Sequence, residues 1–281
     1  MTTAPPPRVF PWETAPSWQH LGHSVEGREI HVRLEAGSRA AHGGTLIIGG
    51  LHGDETATIR LVEDFCVRFM GTGTLRQPVA ALAIANPDGY THRSRYNARG
   101  VDLNRNCGHN WSAASQEPSG PEPWSEPESR ILRDFIQEWQ PRAVVALHWA
   151  LSEIDADGAQ SRPLAEAMWN ALSAHERRPY RLRVSPNGAV EPHLAQTYAA
   201  CPGSFGQWCG YALRYPDGSQ PSMITLELPY DPGVEGRPDD LPPEHLDQVH
   251  DLWHRDCAAY LRAVEPGVHK MLMAACHFAS T

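Results

Sequence analysis

The sequence predicts an α/β protein built on a mostly parallel sheet, and three observations carry that prediction. Apolar runs of strand length recur along the chain. Segments with helical hydrophobic spacing separate them. Polar residues able to do chemistry cluster just after the ends of the runs, where ligands bind in open α/β sheets.

The elements follow in order. Residues 1–20, rich in Pro and Trp, read as an irregular arm, and residues 21–281 as one domain, because no repeat or low-complexity linker divides them. REIHVRLEAG (28–37) alternates apolar and polar residues, as a half-buried strand does. TLIIGG (45–50) is continuously apolar, as in a strand covered on both faces. ETATIRLVEDFCVRFMGTG (55–73) has helical spacing and a stop at Gly71. VAALAIANPDG (79–89) is a second buried strand ending in a turn. In WSEPESRILRDFIQEWQP (124–141), Ser125 and Glu128 fit a capping box and Pro127 sits in the first turn of a helix. AVVALHW (143–149) and SMITLELPY (222–230) are further buried strands, the latter ended by Pro229. Helices are expected over 162–178 and 240–265. Segments 104–125 and 183–221 lack regular pattern, and loops of that length in a compact domain are usually functional.

Composition narrows the function. Of 281 residues, 41% are hydrophobic, enough for a sizeable core. The formal charge of −9 and the lack of a Lys/Arg cluster argue against nucleic acid as a partner. No stretch approaches the ~20 apolar residues of a membrane span. The N-terminus lacks the basic start and apolar core of a signal peptide. The six cysteines are sparse and form no CxxC pair, which predicts reduced thiols in a cytoplasmic protein and no cysteine-type zinc site. Cys201 and Cys209 are near enough in sequence for a bridge, although two free thiols explain them as well.

The chemistry begins in LHGDETATIR. His52 and Glu55, three apart at a strand-to-helix corner, can turn toward one point, and zinc accepts both donors. Asp54 and Glu55 also suit a helix N-terminus without any metal. A third ligand must come from elsewhere. His148, at the end of a buried strand, is a better candidate than His250 and His254, which lack the Glu of HExxH and read as a solvated helix face. Glu227 is a lone carboxylate between Leu226 and Leu228, sharing a strand face with Thr225. Such a residue is costly unless paired or employed, and a general base is such a task. RYNARGVDLNRN (95–106) gathers Arg95, Arg99, Asp102, Asn104 and Arg105, and Arg is suited to gripping a carboxylate.

Taken together, HGDE, NPDG, RYNARGVDLNRN, a strand-end His and TLELP resemble, in order, the zinc metallocarboxypeptidase family over roughly residues 44–262. The resemblance implies a mixed, mostly parallel central sheet flanked by helices, and a Zn2+ cofactor. It implies zinc ligands at His52, Glu55 and His148, a catalytic glutamate at Glu227 and an oxyanion-stabilising Arg95. It also implies carboxylate binding by Asn104 and Arg105, and support of the first zinc histidine by Asp102. Where digestive carboxypeptidases have an HxRE arginine, this chain has Asp54. Their mobile tyrosine has no secure match, with Tyr198, Tyr211 and Tyr215 as candidates.

GLHGDE, SEPES and PGSFGQWC resemble the bacterial murein peptide amidase branch, which is cytoplasmic and cuts between γ-D-glutamate and diaminopimelate. Asp155 and Asp157, in EIDADG just after His148, would then read the extra ammonium of the leaving residue; an acidic surface loop is the plain alternative. A small peptide is the expected substrate. N-acyl-amino-acid deacylases such as succinylglutamate desuccinylase and aspartoacylase share HxxE and a DxNR-type motif, so they form the first rival. A binding protein on a decayed peptidase scaffold is the second, opposed by the complete ligand set and the intact Glu227.

Overall fold

The computed structural model describes residues 17–35, 43–75, 77–184, 201–230, 232 and 257–278. Within them lie β1 (Ser17–His23), β2 (Glu29–Leu34), β3 (Thr45–Ile48), β4 (Val79–Leu82), β5 (Ala143–Trp149), β6 (Glu153–Asp157), β7 (Arg181–Arg183) and β8 (Ser222–Leu228). The helices are α1 (Thr56–Phe69), α2 (Pro87–His92), α3 (Pro127–Trp139), α4 (Arg162–Ala171), α5 (Ala174–Arg177) and α6 (Cys257–His277).

One sheet runs in the order β1-β2-β4-β3-β5-β8-β6-β7. Its centre, β4-β3-β5-β8, is parallel. β1 and β2 are added antiparallel at one side, and β6 runs antiparallel to β8 at the other. The sheet is mixed and mostly parallel, as expected. Every residue of β3 and β4 is buried, which is why both read as unbroken apolar runs, whereas β2 alternates. On one face Leu61 and Phe65 of α1, Met168 of α4 and Leu272 of α6 pack with Ile47, Val145 and Leu226. On the other, Phe135 and Trp139 of α3 pack with Leu46, Ile48 and Val144.

Several expectations need correction. Within the stretch read as an irregular arm, residues 17–20 belong to β1; residues 1–16 lie outside the described residues. EIDAD was read as a possible acidic loop, but it forms the buried strand β6, paired on both sides. The helix expected over 162–178 breaks between α4 and α5, where Ser173 and Glu176 form a capping box. The capping box expected at Ser125 and Glu128 is absent. Glu126 occupies the cap position with no side-chain cap bond, and Glu128 accepts instead from Val25 N and Asn97 Nδ2. Pro127 does open α3. The last helix continues through Pro266 to His277, because burial of Val268, Met271, Leu272 and Ala275 outweighs the one backbone bond a proline removes. Residues 240–256 of that expected helix, including His250 and His254, lie outside the described residues.

A close approach joins the first two loops of the parallel centre. A Cβ at Gly53 would overlap the backbone of Gly89 and Tyr90 in α2. Gly53→Ala should therefore destabilise the fold by ~1–3 kcal/mol, the usual cost of overpacking. It should also weaken metal retention, because the overlap falls beside His52. A denaturant titration with zinc analysis checks this, and unchanged values for both would refute the coupling.

Candidate metal centre and active site

Adjacent strands deliver the chemistry. His52 and Glu55 lie on the turn between β3 and α1, His148 near the end of β5, and Glu227 near the end of β8. The parallel register sets His148 directly beside Glu227. Because β3, β5 and β8 are neighbours with the same direction, their carboxyl ends open on one cleft of about 270 Å3. It is lined by His52, Glu55, Arg95, Asn104, Arg105, Asp155, Asp157 and Glu227, so all predicted site residues but His148 and Asp102 face it. Those two lie directly behind, each in contact with His52.

His52, Glu55 and His148 are all buried. His52 Nδ1 is 2.6 Å from Glu55 Oε1 and 3.3 Å from His148 Nδ1. His148 Nδ1 is 3.3 Å from Glu55 Oε2. On the far side of the His52 ring, Nε2 lies 3.2 Å from Asp102 Oδ1. A neutral His52 therefore donates Nε2–H to Asp102 and leaves a lone pair on Nδ1. That lone pair faces a carboxylate oxygen and a second imidazole nitrogen, a set that repels itself unless a cation sits among them. Glu55 Oε2 is buried without a hydrogen-bond partner among the described residues. Two nitrogens and a carboxylate converging on one point fit zinc.

The electrostatics agree. Burial alone would lower the His52 pKa, but the Glu55 and Asp102 carboxylates raise it to about 9. Burial opposes ionisation of Glu55, yet His52 and His148 bring it down to about 2. The pocket is thus poised for positive charge.

Asp102 organises the remainder. It is fully buried, which by itself would raise its pKa, but His52 and Arg95 hold its carboxyl well below the usual range. Oδ1 accepts from His52 and from Asn104 N at 2.8 Å. Oδ2 accepts from Arg95 Nε at 3.0 Å and faces Arg95 Nη2 at 2.9 Å. Arg95 Nη1 is left toward the centre, 3.3 Å from His52 Nδ1. Asn104 Oδ1 accepts from Phe205 N at 2.8 Å. Arg105 donates to the Asn104 carbonyl at 2.7 Å and to Cys201 Sγ at 3.4 Å, while its buried Nε has no partner among the described residues. Burial and the nearby Glu55 charge keep the Glu227 carboxyl above its ordinary range, and Glu227 Oε2 accepts from Leu151 N at 3.3 Å.

β6 brings two acids into the cleft from the opposite direction. Asp155 lies opposite Thr225 and 3.4 Å from Arg183, which also binds Glu153 at 2.6 Å. Asp157 accepts from Thr225 Oγ1 at 2.7 Å, and no ion pair joins it to a Lys or Arg among the described residues. Burial, then the neighbouring Asp155, push its carboxyl well above the usual range.

Sequence reasoning missed the support of the Arg95 loop. Asn97 Nδ2 donates to buried Glu126 at 2.7 Å, and its Oδ1 accepts from Arg99 N and Val101 N. The SEPES motif that carries Glu126 was visible, but not its role. Of the tyrosine candidates, Tyr215 donates to Pro141 O and lines a different cavity, and Tyr198 lies outside the described residues. Cys201 and Cys209 are both free thiols.

The sequence profile described as zinc carboxypeptidase matches residues 14–229. Murein peptide amidase A of Escherichia coli K12 is 30% identical over 218 residues, covering 72% of this chain and 80% of that protein. The protein of the same name in Vibrio campbellii is 30% identical over 226 residues, covering 74% and 77%. The crystal structure of murein-tripeptide amidase MpaA from E. coli O157 superposes with a TM-score of 0.54 at 26% identity, over 84% of this chain and 91% of that one. Carboxypeptidase A of Helicoverpa armigera shares the fold, with a TM-score of 0.62 at 21% identity over 95% and 70%.

Metal uptake has a signed pH consequence. The raised His52 pKa means the metal-free cluster keeps its proton at pH 7 and sheds it only near pH 9. Zinc binding at pH 7 should therefore release about one proton per ion, because a ligating imidazole must be deprotonated. Calorimetry in two buffers of different ionisation enthalpy measures this, and His148→Ala should abolish the tight event. Buffer-independent heats would show that the cluster holds no proton.

Proposed function

Since the chain belongs to the zinc carboxypeptidase family, we propose that it is a murein peptide amidase, cleaving the bond between γ-D-glutamate and diaminopimelate. The enzyme is a zinc-dependent hydrolase of peptides. The narrower substrate is supported by the two murein peptide amidases at 30% identity. The structural observation that carries it is Asp157, a buried acid lining the cleft whose carboxyl burial pushes well above the usual range.

His52, Glu55 and His148 are the residues that would hold the zinc. When bound, zinc supplies Lewis acidity that activates water and polarises the scissile carbonyl. Glu227 takes the water's proton as it attacks and passes it to the leaving nitrogen, and its raised pKa suits a group that must both accept and release a proton. Arg95, fixed to Asp102 through Nε and Nη2, turns Nη1 toward the oxyanion that develops on the carbonyl. Asn104 and Arg105 hold the free carboxylate of the leaving residue and set which bond lies before Glu227.

Asp157 is the residue placed to set specificity. Asp155 stands 3.4 Å from Arg183, whereas Asp157 accepts from the Thr225 hydroxyl and, among the described residues, has Arg183 only as a more distant charge. Thr225 precedes Glu227 by two residues, about 6.7 Å along a strand, and Asp157, in register with Met223, meets the Thr225 hydroxyl on the same cleft wall. An incoming ammonium would supply the countercharge that burial denies it. The amidase reading carries a cytoplasmic location, and the free described cysteines suit a reducing compartment.

Two outcomes check this function. Glu227→Gln should keep zinc and lose turnover by about 10⁴-fold, the upper range for acid–base catalysis; a loss under about tenfold would place the base elsewhere. Asp157→Asn should cost diaminopimelate peptides about ten- to a hundredfold in kcat/KM, one charged hydrogen bond, while sparing a γ-D-glutamyl-alanine substrate. Equal cleavage of both substrates by the unaltered enzyme would overturn ammonium reading, and faster hydrolysis of succinylglutamate would favour a deacylase.

A further inference from the structure

A second set of metal-ligating side chains lies on the edge hairpin, away from the active-site cleft. We propose that His20, His23 and Glu29, with His31 beside them, form a peripheral binding site for a divalent transition-metal ion on the exposed face of β1 and β2.

The backbone brings these residues together in an unusual way. Residues three apart on a regular strand point to opposite faces. In β1 the register with β2 shifts between His20 and Gly22, a bulge that adds one residue and returns His23 to the face of His20. Across the hairpin, His20 stands opposite His31 and His23 opposite Glu29. Four donor side chains therefore occupy the four corners of one patch.

The distances support a shared ion. One ligand atom from each of His20, His23 and Glu29 lies within 4.8 Å of the others. The His20 and His23 ring centroids are 4.5 Å apart, and those of His20 and His31 are 5.6 Å apart. His31 Nε2 is 3.4 Å from Glu29 Oε2. The neighbouring cation, Arg33, stacks its guanidinium 5.9 Å over the Trp18 ring. By contrast, the carboxylate–histidine group of Asp64, Glu265 and His269 already holds a cation, with Arg68 2.6 Å from Asp64 and 2.8 Å from Glu265.

Imidazole nitrogens with one carboxylate select zinc, nickel or copper over calcium or magnesium, which prefer oxygen. The exposed ligands lack the buried carboxylate support that His52 receives from Asp102. The peripheral ion should thus bind more weakly than the active-site ion and keep water among its ligands. Held between β1 and β2, it would cross-link the edge strand of the sheet, since among the described residues β1 has β2 as its sole strand neighbour.

The test is zinc stoichiometry by equilibrium dialysis on untagged protein, with catalysis measured alongside. The unaltered protein should take up two ions per chain, one tight and one weak. His20→Ala/His23→Ala should take up only the tight ion and keep full turnover. Because these side chains are exposed, that variant should fold normally. His148→Ala should take up only the weak ion, and weakly bound zinc should raise its melting temperature but not that of His20→Ala/His23→Ala/His148→Ala. A single ion per chain in the unaltered protein, or an undiminished weak ion in the double variant, would overturn the proposal, whatever the substrate of the active site.

Discussion

The site depends on one buried carboxylate. Asp102 accepts from the ring of His52, from the side chain of Arg95 and from the backbone of Asn104. An ionised carboxylate with no exposure survives only when its lone pairs are met by donors, and here donors from three functional groups meet them. The same bonds fix the His52 tautomer, so that once the ring is deprotonated Nδ1 turns its lone pair toward Glu55 and His148. They also hold two nitrogens of Arg95, which leaves the third aimed at the centre. His52, Arg95 and Asn104 thus share one anchor.

Asp102 is itself held by its loop. The RYNARG turn is pinned to the start of α3 through Asn97, whose amide nitrogen meets Glu126 and Glu128 and whose oxygen caps the following backbone. Glu126 also accepts from Ser125 Oγ. Burial raises the Glu128 carboxyl despite the bonds from Val25 and Asn97. This polar junction explains why two stretches nearly thirty residues apart, 95–106 and 124–129, both carry dense polar sequence without both touching the cleft.

Topology supplies the other half of the site. Parallel β3, β5 and β8 deliver the metal-ligand set and Glu227 from one end of the sheet, while β6 runs the opposite way and slides Asp155 and Asp157 past Thr225. An antiparallel strand next to β8 lets acids line the same cleft. Small residues make room for them: a Cβ at Gly206 would fall 2.6 Å from Asp157 Oδ2, and one at Gly210 would strike the Asp157 backbone.

Much of this was legible in the sequence. TLII, VAAL and AVVALHW are strands because unbroken apolar runs of that length must be covered on both faces, and their order foretold the parallel centre. His52, Glu55, His148 and Glu227 stood out because ionisable groups at the ends of such strands are costly without a task. Single residues, however, carry no register. The outward turn of His23 depends on a bulge in β1, and the burial of EIDAD depends on pairing with β8 and β7, so a strand of alternating acids read equally well as a loop. The passage of α6 through Pro266 likewise depends on what packs around it. Which residues could do chemistry was readable along the chain, because that follows from side-chain type and local hydrophobic pattern. Which of them meet, and that Asp155 has Arg183 at hand while Asp157 sits with Thr225, emerges on folding, because strand register and burial arise from contacts between segments far apart in the chain.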